Sequence, residues 1–169
     1  MLSPLTAISP IDGRYRTQVS SLADYFSEHA LIRYRVHVEI EYFIALSEAS
    51  FFKLTENAKK KLRNVVTNYE MMDTEIVKAT ERSTNHDVKA VEYFVKEKLD
   101  ELRMSKLKEW VHFGLTSQDI NNTAIPLLWK EALEKAYLPK LKEIIALLKQ
   151  YANDWKKIPM LARTHGQAA

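Results

Sequence analysis

Only three glycines occur in 169 residues, against about 12 at an average usage of ~7%. Prolines are few as well, five in all. A chain this poor in the residues that end helices and make tight turns is expected to be mostly helix. Each glycine then marks a place where the backbone turns sharply or lets another group come close. Gly13 lies in Ile11-Asp12-Gly13-Arg14-Tyr15, Gly114 in the stretch His112 to Asn122, and Gly166 in Arg163-Thr164-His165-Gly166-Gln167. All three stand beside clustered Arg, Tyr, Thr, Ser, His or Gln, the first sign of a site assembled from distant segments.

The helical pattern can be followed along the chain. Ser3 to Gln18 has no periodicity and reads as an extended arm. Val36, Val38, Ile40 and Tyr42 alternate with polar residues as in a strand. The pairs Arg35–Glu39 and His37–Glu41 are spaced i,i+4, however, and apolar residues continue unbroken through Leu46, so a helix is expected. His29 and His37 have no polar cluster around them in sequence and read as surface or packing residues. A second helix starts at Thr55 with Ala58, Leu62, Val65, Val66 and Tyr69 on one face, and Lys59 to Lys61 on a solvated one. A third starts at Asp73-Thr74. Val88, Val91, Val95, Leu99 and Leu102 then recur at three- and four-residue steps. The pattern lapses at Arg103 to Lys106. From Ser117 it runs to about Trp155, with Ile120, Leu127, Leu128, Leu133, Leu138, Leu141, Ile144, Ile145 and Leu148 as core candidates. Pro126 and Pro139 should kink or split that length. Helices are thus predicted near 27–50, 56–70, 74–82, 87–102 and 117–155. The fold class is all-α: an N-terminal helical domain over 1–109, then the first long helix of a helix-bundle domain over 110–169.

Composition excludes several classes. Hydrophobic residues make up 46% of the chain, but no apolar run approaches the ~20 residues of a membrane span. Met1-Leu2-Ser3-Pro4 lacks the charged and apolar regions of a signal peptide. There is no cysteine, so disulfides and thiolate metal sites are excluded and a cytoplasmic location is expected. The 25 basic and 22 acidic residues are interleaved, and a net charge of +3 gives no footprint for nucleic acid. Neither a metal nor a cofactor is expected.

Three stretches carry candidate chemistry. In His112 to Asn122, Thr116 with Asp119 has the form of a capping box. The N–H groups of the helix start, with the Thr116 and Ser117 hydroxyls, would receive an anion; a plain helix cap would use the same residues. Thr84 and Asp87 repeat that spacing and put His86 in the first turn of a helix. There the macrodipole disfavours imidazolium, leaving a neutral ring that donates one hydrogen bond and accepts another. Asn85, His86 and Asp87 would suit the edge of a heterocyclic base, or would be a cap with an incidental histidine. Arg14 and Arg16 flank Tyr15 and would suit a phosphate, or would be a solvated loop.

Taken together, Ser9 to Tyr15, Thr84 to Phe94, His112 to Asn122 and Arg163 to Gln167 resemble the adenylosuccinate lyase family, in that family's motif order. The last two motifs are shared, in looser form, with the wider fumarase, aspartase and argininosuccinate lyase superfamily; the first two are specific. Ala168 departs from the family, which usually has Pro after the Gln. The resemblance implies elimination of fumarate from adenylosuccinate, giving AMP, and from succinyl-aminoimidazole carboxamide ribotide. It implies Arg14 and Tyr15 on the ribotide phosphate and Asn85, His86 and Asp87 on the base-binding side, with His86 also orienting the succinyl group. Thr116 and Ser117 would hold a succinyl carboxylate, Gln167 would contact substrate, and His165 would be the general acid. The family's general base is a serine on a Gly/Ser-rich loop with a Met-Pro-x-Lys pattern, which these residues do not contain. The family is homotetrameric and builds each site from three subunits around a bundle of long helices, of which this chain would supply the N-terminal domain and the first long helix. Two other readings are a different lyase of the superfamily, which would not be expected to carry the first two motifs, and a helical interaction module, which would ignore AMP and fumarate.

Overall fold

The computed structural model describes residues 5–161 and 163–168, without the side chains of Arg163, Thr164 and Ala168. The Met1–Pro4 terminus and the bearing of Ala168 on its turn lie outside that description. The elements are α1 (Ala23–Phe26), α2 (Glu28–Glu48), α3 (Glu56–Thr67), α4 (Met71–Thr84), α5 (Asp87–Glu101), α6 (Ser117–Ala132) and α7 (Leu138–Trp155), with short 3₁₀ turns at Ser20–Leu22 and Ser105–Trp110. The two-residue strands β1 (Arg163–Thr164) and β2 (Gln167–Ala168) pair antiparallel. The fold is all-α apart from that hairpin, and no described helix is long and apolar enough to cross a membrane.

Helix α2 is the organising element, and its sequence says why. Ala30, Ile32, Tyr34, Val36, Ile40, Phe43, Ile44 and Leu46 are all buried, a set that covers more than one face. A helix apolar on all sides must be surrounded, and α2 packs against α3, α4, α5 and α6. The strand-like alternation at Val36–Tyr42 is a by-product of this enclosure. On one side Ile32, Val36, Ile40, Phe43 and Ile44 meet Leu62, Val77, Val91, Phe94, Val95 and Leu99. On the other, Tyr34 meets Ala124 and Leu128 of α6.

Local signals set most helix ends. The Ser27 and Thr55 hydroxyls accept the N–H groups of Ala30 and Ala58, opening α2 and α3. The fourth helix starts earlier than the Asp73-Thr74 reading. Glu70 N–H donates to Asp73 Oδ2 at 3.0 Å, so Asp73 is the reciprocal half of a cap and not its first residue. His29 is not an isolated packing residue: its Nδ1 lies 2.6 Å from Thr74 Oγ1, and its ring sits against Tyr69. The expected extended arm is also corrected. Residues 10–18 form successive turns, tied by bonds such as Gly13 N–H to Ser9 O and Tyr15 N–H to Pro10 O.

Met1–Ala132 and Leu133–Ala169 are separate compact units. Pro126 sits inside α6 without ending it. The regular pattern breaks instead in a π-turn at Leu133–Tyr137, just before Pro139 in the first turn of α7. Proline has no N–H for the carbonyl four residues back, and widened turns absorb such defects. The core candidates of this stretch therefore divide. Ile120 and Leu128 are buried in α6, whereas Leu133, Leu138, Leu141, Ile144, Ile145 and Leu148 are exposed. Periodicity marked their common face, but no described residue covers it.

Candidate functional site

Two helix starts form the site, and both are shaped by residues with positive φ. Helix α4 ends on Asn85, at φ 53° and ψ 33°, a left-handed cap that Asn tolerates. His86 then returns to extended backbone and is itself the N-cap of α5, with Nδ1 accepting the Lys89 N–H at 3.2 Å. This corrects the capping-box reading. Thr84 belongs to the last turn of α4, its hydroxyl donating to Thr80 O, because the left-handed Asn85 lets α5 begin with only Asn85 and His86 between the two helices. Asp87 Oδ1 accepts its neighbour Val88 N–H at 2.8 Å. Burial opposes the Asp87 charge, but that N–H and the Arg35 guanidinium prevail and hold its carboxyl below the usual carboxylate range.

The second start follows His112 and Gly114, both left-handed at φ 61° and 71°. Thr116 N–H and Oγ1 both donate to Asp119 Oδ2, at 2.7 and 3.0 Å. Half of the expected capping box is present. The Thr116 hydroxyl is directed at Asp119, where a capping threonine would accept from the backbone of the first turn. Ser117 is different: its Oγ stands 3.4 Å from His86 Nε2, across 31 residues of sequence. Since Nδ1 accepts from Lys89, Nε2 carries the ring hydrogen and donates to Ser117 Oγ. The serine hydroxyl is then free to donate its own hydrogen to a ligand. Of the residues singled out in sequence, the fold thus brings His86 and Ser117 into contact, with Asn85, Asp87 and Thr116 beside them in sequence.

Asn85, His86 and Asp87 line a cleft of about 550 Å³ together with Glu28, Lys78, Glu81 and Arg82. Arg14 and Tyr15 do not line it. They bound a different cleft of about 480 Å³, built from Ala7, Ile8, Ser9 and Pro10 of their own segment, with the Arg14 guanidinium 5.9 Å from the Tyr15 ring centre. His165 and Gln167 belong to the second unit. His165 and Gly166 form the two-residue turn between β1 and β2, at φ 49° and 77°. Positive φ at both positions is the hairpin turn that matches strand twist, and Gly166 suits it.

The sequence reading missed the residues that support these loops from α2. Arg35 Nη2 lies 2.8 Å from Asp87 Oδ2, and its Nε donates to Asn121 Oδ1 at 2.9 Å. Glu39 is 0% exposed and accepts from His112 Nδ1 at 2.5 Å. One turn on, Tyr42 OH donates to Phe113 O at 2.8 Å. In place of the i,i+4 pairs read into α2, Arg35 and Glu39, both buried, reach separate partners on other segments, and Glu41 pairs with Arg63. The available signal was two charges set inside a helix that is apolar all round.

The Glu39–His112 pair sets a pH dependence. Its hydrogen bond to Glu39 is the main cause that raises the His112 pKa, against the opposing effect of burial. A raised folded value means that the pair's contribution is complete below the unfolded imidazole value of about 6.5 and is lost as pH rises through the folded one. Each pH unit between the two removes at most ~1.4 kcal/mol. Urea midpoints are expected to fall from pH 6 to pH 9, and to fall less in Glu39→Gln. Equal slopes in the two proteins would detach His112 from the effect.

A family model described as lyase matches residues 13–169, and the chain belongs to that lyase family. Within it, the chain is 57% identical over 176 residues to an adenylosuccinate lyase of Dictyostelium discoideum. It is 43% identical to the adenylosuccinate lyase of Haemophilus influenzae and 42% identical to that of Escherichia coli K12. Each of these matches covers 99% of this chain and 38% of the relative.

Proposed function

We propose that the chain forms part of a lyase that eliminates fumarate from adenylosuccinate, giving AMP, and from succinyl-aminoimidazole carboxamide ribotide. The observation that carries this reading is the contact between His86 Nε2 and Ser117 Oγ. It unites two motifs that the resemblance assigns to one substrate, beside a cleft large enough for part of a nucleotide. In the elimination, a base takes a proton from the succinyl carbon β to the nitrogen, the C–N bond breaks, and an acid protonates the departing nitrogen. Ser117 would donate its hydroxyl hydrogen to a succinyl carboxylate, held in place by His86. Asn85 and Asp87 would face the base, Thr116 and Gln167 would add polar contacts to the substrate, and His165 would be the acid. Arg14 and Tyr15 would hold the phosphate.

The same reading makes residues from about 110 onward the start of a bundle domain, and makes the assembly a homotetramer in the cytoplasm with sites shared between subunits. Its substrates are small nucleotides, with no cofactor. Because the Met-Pro-x-Lys serine loop is not among these 169 residues, the chain assayed alone is expected to release no fumarate. The test is steady-state fumarate release by the lyase that carries this chain. Arg14→Ala is expected to raise KM and lower kcat/KM, because phosphate is held in ground and transition states alike. Release of no fumarate from either substrate by the unaltered enzyme would refute the reading.

A further inference from the structure

We infer that Arg35 is a positioning residue that sets the His86–Ser117 contact, an inference that rests on the function proposed above. The contact itself is long and solvent-exposed, so it is too weak to hold its own geometry. What holds it lies beneath. Asp87 follows His86 directly at the start of α5, and Asn121 stands one helical turn after Ser117 at the start of α6. Arg35, whose side chain is only 7% exposed, joins the two: one nitrogen on Asp87, another on Asn121. A single planar group thus fixes the separation and angle of two helix starts that meet at the candidate site.

The choice of arginine has a physical reason. A buried cation is costly unless its donors are matched, and here a carboxylate and an amide receive two nitrogens of one rigid fork. Lysine would keep the charge, but as a point donor it cannot span two acceptors on different helices in a fixed plane. The anchor is also firm, since Arg35 sits between Tyr34 and Val36 on the enclosed helix α2. Removing the fork should leave both helices formed and let their starts drift, which moves Ser117 Oγ away from His86 Nε2. Misplacement on the scale of 1 Å costs enzymes roughly 100-fold.

Arg35→Lys tests this in two settings. In the lyase carrying this chain, kcat/KM is expected to fall roughly 10- to 100-fold. In a Ser117→Ala background the same change should cost little more, because the contact it positions is already gone. Equal losses in both backgrounds would make Arg35 a structural residue only, and full activity in Arg35→Lys would overturn the inference. The second setting does not depend on turnover. In the 169-residue chain, imidazole ¹⁵N shifts should show His86 held as the single tautomer with hydrogen on Nε2 and none on Nδ1, an Nε2–H signal that Arg35→Lys loses to averaged values while the far-ultraviolet helix signal is unchanged. Retention of that signal overturns the positioning role even if the protein proves to be no adenylosuccinate lyase. If Arg35→Lys does not fold, Asn121→Leu removes one arm of the fork and leaves the Asp87 ion pair. It should lose the same Nε2–H signal, and its retention there counts equally against the inference.

Discussion

In an active lyase that carries this chain, His165→Ala is expected to lower kcat by roughly 10²–10⁴-fold with little change in KM. That range is the usual contribution of one positioned general acid and corresponds to about 3–5 kcal/mol of transition-state stabilisation. The departing nitrogen leaves as an anion unless it is protonated as the C–N bond breaks, and imidazole is the side chain best suited to supply a proton near neutral pH. His165 sits at the first position of a two-residue hairpin turn, with Gly166 second and Gln167 opening β2. The turn presents an exposed ring on a short, hydrogen-bonded support. Alanine removes the proton donor without removing a contact that holds the ground state, so the loss should fall on kcat. Arg14→Ala, by contrast, should act on KM, and the two variants measured side by side separate the roles. A near-normal kcat in His165→Ala would take His165 out of the acid position.

The exposed face of α7 is expected to drive self-association. Leu138, Leu141, Ile145, Leu148 and Trp155 follow the alternating three- and four-residue steps of a coiled-coil seam, with Ala152 completing the series. None of them is covered: Leu141 is 36% exposed, Leu148 60% and Trp155 58%. Ile144 and Leu147 widen the stripe, and Tyr151 stacks on Trp155 with ring centres 4.7 Å apart. Contiguous apolar surface of this extent marks an interaction site, and in the proposed assembly its partners are other long helices of the bundle. Light scattering of the 169-residue chain should give a mass above that of one chain and rising with concentration. Leu141→Glu with Leu148→Glu should return it towards monomer, since a seam position that buries a charge without a partner is strongly disfavoured. A monodisperse monomer at high concentration would contradict this assignment.

Much of the local structure follows from the sequence alone. Scarcity of glycine and proline predicts helix, and three- and four-residue periodicity places α3, α5 and the outer ends of the α6–α7 stretch to within a few residues. Thr55 marks its helix start by its own hydroxyl, and four short motifs, three of them bearing a glycine, carry the resemblance to the family. These are properties of short windows, where spacing and capping chemistry act within a turn or two. Other features needed contacts between windows far apart. The alternation at Val36–Tyr42 is settled as helix because α2 is enclosed by other helices. Thr84 loses its expected cap to His86 because Asn85 takes a left-handed turn. Arg35 and Glu39 read as an i,i+4 pair, but in the fold each turns towards a different loop. Leu138 to Leu148 read as core because periodicity reports which residues share a face, whereas burial depends on whether another surface lies against it. The contact of His86 with Ser117 joins residues 31 positions apart. Its geometry is set by a guanidinium on a third helix, which no local pattern encodes, because a side chain's partner is chosen by packing in three dimensions and not by its neighbours along the chain.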